Sequence, residues 1–135
     1  MASATWALQK AIYAALLADG TVMALLGGPR IYDDVPPRSE FPYVTLGQSL
    51  VRDWSTGTDE GLEHILTLHV WSRADGRREV QELLASVRTA LHDEPLAVEG
   101  HRLVNLRLEL SEVRREPDGE TCHGLLRFRA VTEAQ

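Results

Sequence analysis

Two long runs of period-two hydrophobicity dominate the chain, at residues 43–54 and 61–71, joined by the polar segment 55–60. Such alternation predicts a β-hairpin. A register that sets Val44 against Val70 and Leu46 against Leu68 centres the loop on Gly57. It also sets Tyr43 against Trp71 and Ser49 against Ile65. Facing residues share a sheet face. One face then carries Val44, Leu46, Leu66, Leu68 and Val70 and reads as core. The other carries Tyr43, Thr45, Ile65, Thr67 and Trp71, which is too apolar for a plain solvated surface. Either a second helix layer or a partner subunit must cover it.

Helical periodicity appears twice. In residues 3–18, Leu8, Ile12, Ala15 and Leu16 form a stripe, with Ser3 or Thr5 as cap. Trp6, Tyr13 and Leu17 widen the stripe, so this helix is buried over a broad arc or touches a partner. Asp19-Gly20 breaks it, and a short helix over 21–26 ends at Gly27-Gly28-Pro29. Residues 77–92 give the clearest helix: Val80, Leu83, Leu84, Val87, Ala90 and Leu91 fall on one stripe.

Between these elements, 30–32 reads as a short strand. Residues 33–42 hold three prolines and read as an extended surface loop. After the second long helix comes a short edge strand, 96–98, with a turn at 99–100. Strand 103–115 follows, with Val104, Leu106, Leu108 and Leu110 pointing in. The last strand, 121–132, points Leu126, Phe128 and Ala130 in. A two-residue Asp118-Gly119 turn would pair Leu110 with Arg127 and mix the faces. A three-residue loop centred on Asp118, with Gly119 left-handed, pairs Leu110 with Leu126, Leu108 with Phe128 and Glu109 with Arg127. A β-bulge between Leu110 and Val113 is the other solution.

The order α-(α)-β-β-α-β-β predicts an α+β fold: an antiparallel sheet of about four main strands, in two hairpins, packed with two main helices. The 135 residues suit a single domain, 1–135, and 44% hydrophobic content suffices for a core.

Composition narrows function mostly by exclusion. A net charge of −6 argues against a DNA-coating protein. Of 14 basic residues only Lys10 is lysine, which suits ion pairs but equally reflects GC-rich coding. The lone Cys122 excludes an internal disulfide and a cysteine zinc site. The start of the chain lacks the pattern of a signal peptide, and no apolar run approaches the ~18 residues of a membrane span.

Candidate chemistry is sparse. His64 and His69 fall on opposite faces of one strand, and the side chains of Cys122 and His123 point apart. Gly27-Gly28 lacks the lysine and serine or threonine of a phosphate loop, and no serine sits in a nucleophile elbow. No cofactor, metal site or catalytic residue is expected. Arg107, Arg127 and Arg129 form the strongest charged group on the outer face of the last hairpin, with Glu109 as a cross-strand partner.

Taken in order, the segments resemble the tail-terminator, or tail-completion, proteins of tailed phages and gene transfer agents. The residues carrying the resemblance are the helix around Leu8 to Leu17, Asp19-Gly20, Arg30-Ile31-Tyr32, Val35-Pro36-Pro37, Phe41-Pro42-Tyr43, Asp53-Trp54, the run from Leu66 to Ser72, Ala90-Leu91-His92, Pro117-Asp118-Gly119 and the run from Gly124 to Arg129. The resemblance implies a fold similar to the λ-type tail terminator and a structural virion protein, not an enzyme. It would be made in the bacterial cytoplasm and located at the head–tail junction.

The implied partners are other copies in a hexameric ring, the tail tube protein and a head–tail connector or stopper. DNA would pass through without specific binding, and no membrane is involved. The expected contact residues, with a neighbouring subunit or the tube, are Tyr43, Trp54, Thr56, Thr58, Asp59, Ile65, Trp71, Arg107, Arg127 and Arg129. The alternatives are a connector or stopper adaptor and, in another class, a small ligand-binding or enzymatic α+β domain.

Overall fold

A computed structural model describes residues 3–135. Its elements are α1 (Ala4–Leu17), α2 (Gly20–Leu26), β1 (Ile31–Tyr32), β2 (Tyr43–Asp53), β3 (Gly61–Ser72), α3 (Arg78–Leu91), β4 (His101–Arg115) and β5 (Cys122–Ala134). The strands form one sheet in the order β1-β2-β3-β5-β4.

This corrects the expected four-stranded antiparallel sheet in one way. The sheet has five strands and is mixed, because β1 pairs parallel to β2 through Ile31 and Val44. The expected short helix over 21–26 is present as α2, so three helices belong to the fold, two of them long. The short strand expected at 30–32 is there, but its parallel partner lies beyond the proline-rich loop, and two residues carry no periodic signal that could assign it.

The helix caps are explicit. The Ser3 hydroxyl accepts from the Trp6 amide at 3.3 Å to open α1, and Asp19 Oδ1 accepts from the Val22 amide at 2.9 Å to open α2. Gly27 closes α2 with φ of 79°, a left-handed conformation that favours glycine. In α3 the predicted stripe is buried: Val80, Leu83, Leu84, Val87 and Leu91 lie in the core, while Ala90 is half-buried.

All three helices pack on one face of the sheet. The core joins Leu8, Ile12 and Leu16 of α1 and the α3 stripe to Leu66, Leu68 and Val70 of β3 and to Leu126, Phe128 and Ala130 of β5. Contact is close at Gly124, where an added Cβ would lie 2.8 Å from Val80 Cγ2. The even-numbered residues of β3 and β5 thus face the helices. The odd-numbered ones face away, and no helix among the described residues covers them.

Bulges correct the registers. The first hairpin pairs Tyr43 with Trp71, Val44 with Val70 and Leu46 with Leu68, as expected. A shift between Leu46 and Ser49 then sets Ser49 against Leu66 rather than Ile65, and Leu50 against Ile65. One extra residue exchanges the faces, so Leu50 is delivered to the open face and is 60% exposed.

In the second hairpin Leu108 pairs with Phe128, but a shift between Leu108 and Leu110 sets Leu110 against Arg127 and Ser111 against Leu126. Both rival registers therefore exist, each over its own half, and the bulge falls at Glu109. Leu110, expected to point in, is 41% exposed, and Val104, at a second shift, is also exposed. The turn does place Gly119 left-handed, with φ of 74° and its amide donating to Glu116 O at 3.0 Å. The expected edge strand at 96–98 reduces to one bridge, Val98 with His101.

Candidate interaction surfaces

The open face of the sheet holds two polar-aromatic clusters. At one end, Tyr43 and Trp71 sit as cross-strand neighbours with ring centroids 6.5 Å apart. Tyr32 and Phe41 extend the group beyond Tyr43, at 5.9 and 4.9 Å. On the other side Trp71 stacks on His123 with centroids 3.9 Å apart.

His123 belongs to a short relay. Its Nε2 lies 2.6 Å from His69 Nδ1, and its Nδ1 lies 2.7 Å from Glu116 Oε1. With neutral rings, His69 Nδ1–H donates to His123, whose Nδ1–H donates to the carboxylate. Burial holds both imidazoles below their ordinary pKa; for His69 the neighbouring His123 and Arg114 add to this, while for His123 the Glu116 carboxylate opposes it. His69 in turn lies against Gly47, where a Cβ would be 2.7 Å from its ring. The relay runs from His69 through His123 to the Glu116 carboxylate and, among the described residues, bonds to no hydroxyl or thiol; it ties β3 to β5 and orders this end of the face.

At the other end, Glu63 is only 3% exposed. It is clamped by Arg52 and by Arg129, whose Nε donates to Glu63 Oε2 at 2.6 Å. These two hydrogen bonds hold its carboxyl below the ordinary glutamate value. The Trp54 ring covers the clamp, with the Arg129 and Arg52 guanidinium carbons 5.1 and 5.8 Å from its centroid. Trp54 is therefore bulky at the base of the loop because it caps an ion-paired triad.

The loop beyond Trp54 is tied mostly to itself. Thr56 N donates to Asp59 O at 2.9 Å, Asp59 N to Thr56 Oγ1 at 3.1 Å, and Thr58 N to Thr56 Oγ1 at 3.4 Å. Thr56 and Asp59 join Trp54 and Arg129 around a hollow of about 220 Å³.

Of the expected contact residues, Tyr43 and Trp71 thus form one cluster, and Trp54, Thr56, Asp59 and Arg129 another. Ile65 lies between them, opposite Arg129 on β5. The arginine trio does not act as one positive patch. Arg107 turns to Asp93 at 3.1 Å, Arg127 to Glu109 at 3.8 Å, and Arg129 to Glu63. Sequence reasoning missed Glu63, Arg52, His69, His123 and Glu116, all polar residues united by long-range strand pairing. It also missed Leu50 and Leu110, which the bulges turn outward.

A separate apolar groove of about 550 Å³ lies on the helix side, between α1 and β1. Trp6, Tyr13, Tyr32 and Leu46 line it, with Asp33 and Asp34.

This arrangement defines a class: a small α+β sandwich with helices on one sheet face, the other face ordered yet uncovered, and its polar clusters used for packing. The chain belongs to the tail completion protein gp17 family, whose model matches residues 10–133; members are structural tail proteins of virions, not enzymes. It is 33% identical over 89 residues to tail completion protein gp17 of Bacillus phage SPP1, a match spanning 66% of this chain and 66% of that protein. A chain from the virion of a native gene transfer agent (GTA) particle has the same fold. The TM-score is 0.91 at 33% identity, covering 99% of this chain and 100% of that one.

Proposed function

We propose that this chain is a tail-terminator subunit. Copies assemble as a ring, hexameric as the resemblance implies, on the last ring of the tail tube. The ring stops further polymerisation and presents a surface to the head connector, while DNA passes through without being gripped. The carrying observation is the open sheet face: it is ordered by its own stacks and ion pairs, carries exposed leucines, and is covered by no element among the described residues. Family membership and the full-length likeness to a GTA virion chain support the same reading. Cyclic assembly needs two different surfaces per subunit, and the open face and the α1 groove are two such surfaces.

Deletion of the gene from a producing strain tests the role. The expected result is tails of uncontrolled length without attached heads, corrected by a plasmid copy. Normal tails joined to heads in the deletion strain would overturn it.

A further inference from the structure

Strand β4 is the outermost strand on one side of the sheet. The outer edge of such a strand offers backbone N–H and C=O groups on which another extended chain can add as a further strand. At 15 residues β4 is the longest of the five, and its edge is protected by several local features. His101 is bridged by Val98. Register shifts between Leu103 and Asn105 and between Leu108 and Leu110 break the regular ladder. The far end carries Glu112, Arg114 and Arg115, charges of the kind that discourage pairing. The stretch left between the two bulges is 105–108.

That stretch is occupied by the connection from α3. The Asp93 amide donates to the Leu106 carbonyl oxygen at 2.8 Å, and the Leu108 amide donates to His92 Nδ1 at 2.9 Å. A backbone donor and a ring nitrogen thus take the places that an added strand's N–H and C=O would take. The backbone is shaped for this. His92 ends α3 in an extended conformation, with φ of −65° and ψ of 122°. Asp93 then turns back with φ of 59°, a left-handed conformation uncommon for residues with a side chain. Arg107 Nε, 3.1 Å from Asp93 Oδ1, ties the turn to the same strand. Because Nδ1 accepts, the neutral ring carries its proton on Nε2, which lies 3.3 Å from Asp93 Oδ2.

We propose that His92 and Asp93 form a strap that guards the β4 edge, and that without it a second copy of this chain adds there strand to strand. The inference concerns the free subunit and does not rest on the ring reading. Strand addition is held by main-chain hydrogen bonds, so it accepts whatever extended strand is at hand. In a solution of the pure protein that strand belongs to another copy.

The test uses three substitutions at one position. The side-chain oxygen of asparagine can take the place of imidazole Nδ1, whereas that of glutamine reaches the place of Nε2. His92→Asn therefore keeps an acceptor against Leu108, and His92→Gln and His92→Ala lose it. Amide hydrogen exchange on dilute protein should show Leu108 equally protected in the parent and in His92→Asn. In the other two it should exchange roughly five- to tenfold faster, as for the loss of one net hydrogen bond. Sedimentation at rising concentration should then reveal, for His92→Gln and His92→Ala alone, species larger than any the parent forms. Fast exchange at Leu108 in those two variants with sedimentation like the parent's would overturn the proposal, because the bared edge would need no guard. Leu108 still protected in both, or His92→Asn behaving as His92→Ala does, would overturn it as well, because the side-chain acceptor would not be what holds the edge. His92→Gln keeps most of the bulk of the ring, so its comparison with His92→Asn decides the matter even where His92→Ala does not fold.

Discussion

The indole of Trp71 lies flat on the imidazole of His123, with centroids 3.9 Å apart and planes 7° from parallel. Its Nε1 donates to Thr45 Oγ1 at 3.0 Å. Trp71 is thus held by its own monomer from two sides. Trp71→Ala should cost about 2–3 kcal/mol, and Trp71→Phe, which loses the hydrogen bond but keeps a ring, about 1 kcal/mol. Urea midpoints at constant slope measure both; a Trp71→Ala protein as stable as the wild type would show that the stack carries no weight. Leu50→Ala and Leu110→Ala are the cleaner probes of contact. Each should change monomer stability by less than about 0.5 kcal/mol yet reduce incorporation into particles.

The same stack makes stability depend on pH. His69, His123 and His64 all titrate below the usual value of 6.5 in the folded protein, each chiefly because burial disfavours the charged ring. Glu116, Glu112 and Arg114 modulate His123, and Arg114 also acts on His69. Unfolded histidines take up protons near pH 6.5 while the folded ones resist, so the unfolded state binds more protons in that range. The contribution is therefore full above about pH 6.5 and is lost as pH falls through the folded values.

A second loss follows at lower pH. Glu63, held down by Arg52 and Arg129, and Asp118, held at about 2 by hydrogen bonds from Thr121 and Glu120, contribute above their unfolded values and fail below them. The urea midpoint should fall between pH 7 and pH 5, and a His69→Gln, His123→Gln double variant should flatten that fall. A midpoint flat over the interval in the wild type would contradict the burial argument.

Gly47 meets the relay from the neighbouring strand. A Cβ there would lie 2.7 Å from the His69 ring and 2.9 Å from the Thr67 carbonyl oxygen. The ring can rotate away, but the backbone oxygen cannot, so Gly47→Ala should destabilise by about 1–3 kcal/mol. Thermal unfolding checks this. An unchanged midpoint would mean that β2 can shift at the bulge without cost.

What the sequence revealed follows how local each signal is. Helix α3 was legible because its stripe repeats over four turns. The β3 faces and the first half of the β2–β3 register were legible because strict alternation has a single reading. The bulge near Gly47 was not, and that at Glu109 was raised only as one of two solutions and placed between Leu110 and Val113, since one inserted residue leaves composition and turn signals unchanged while reversing every later side chain. For that reason Leu50 and Leu110 changed faces. Tyr43 and Trp71 stood out as aromatic residues on the wrong face for core. The relay joins His69 to His123, 54 positions apart, through strands adjacent in space but separated by α3 and β4 in sequence. No local pattern encodes that meeting.

The hairpin tip separates folding from function. Trp54 N donates to Gly61 O at 2.8 Å, closing the ladder below the loop. Above it, Ser55 Oγ donates to Asp53 Oδ1 at 2.6 Å, and Gly61 N donates to Ser55 Oγ at 3.1 Å. Beyond those ties at its base, the loop is bonded to β5, where Ala134 N donates to Glu60 O at 3.1 Å. Deleting residues 56–60 outright would leave Ser55 alone to bridge a hydrogen-bonded pair, too short for any two-residue hairpin turn. Replacing residues 55–60 with Asn-Gly satisfies that geometry and keeps Trp54 over Arg52 and Arg129. The replaced protein should unfold within about 1 kcal/mol of the parent, because the loop buries little. If the tip projects from the ring to meet the tube or the connector, the same protein should fail to complete tails when it is the only copy supplied. Particles normal in length and head attachment would show that the loop is a plain hairpin end.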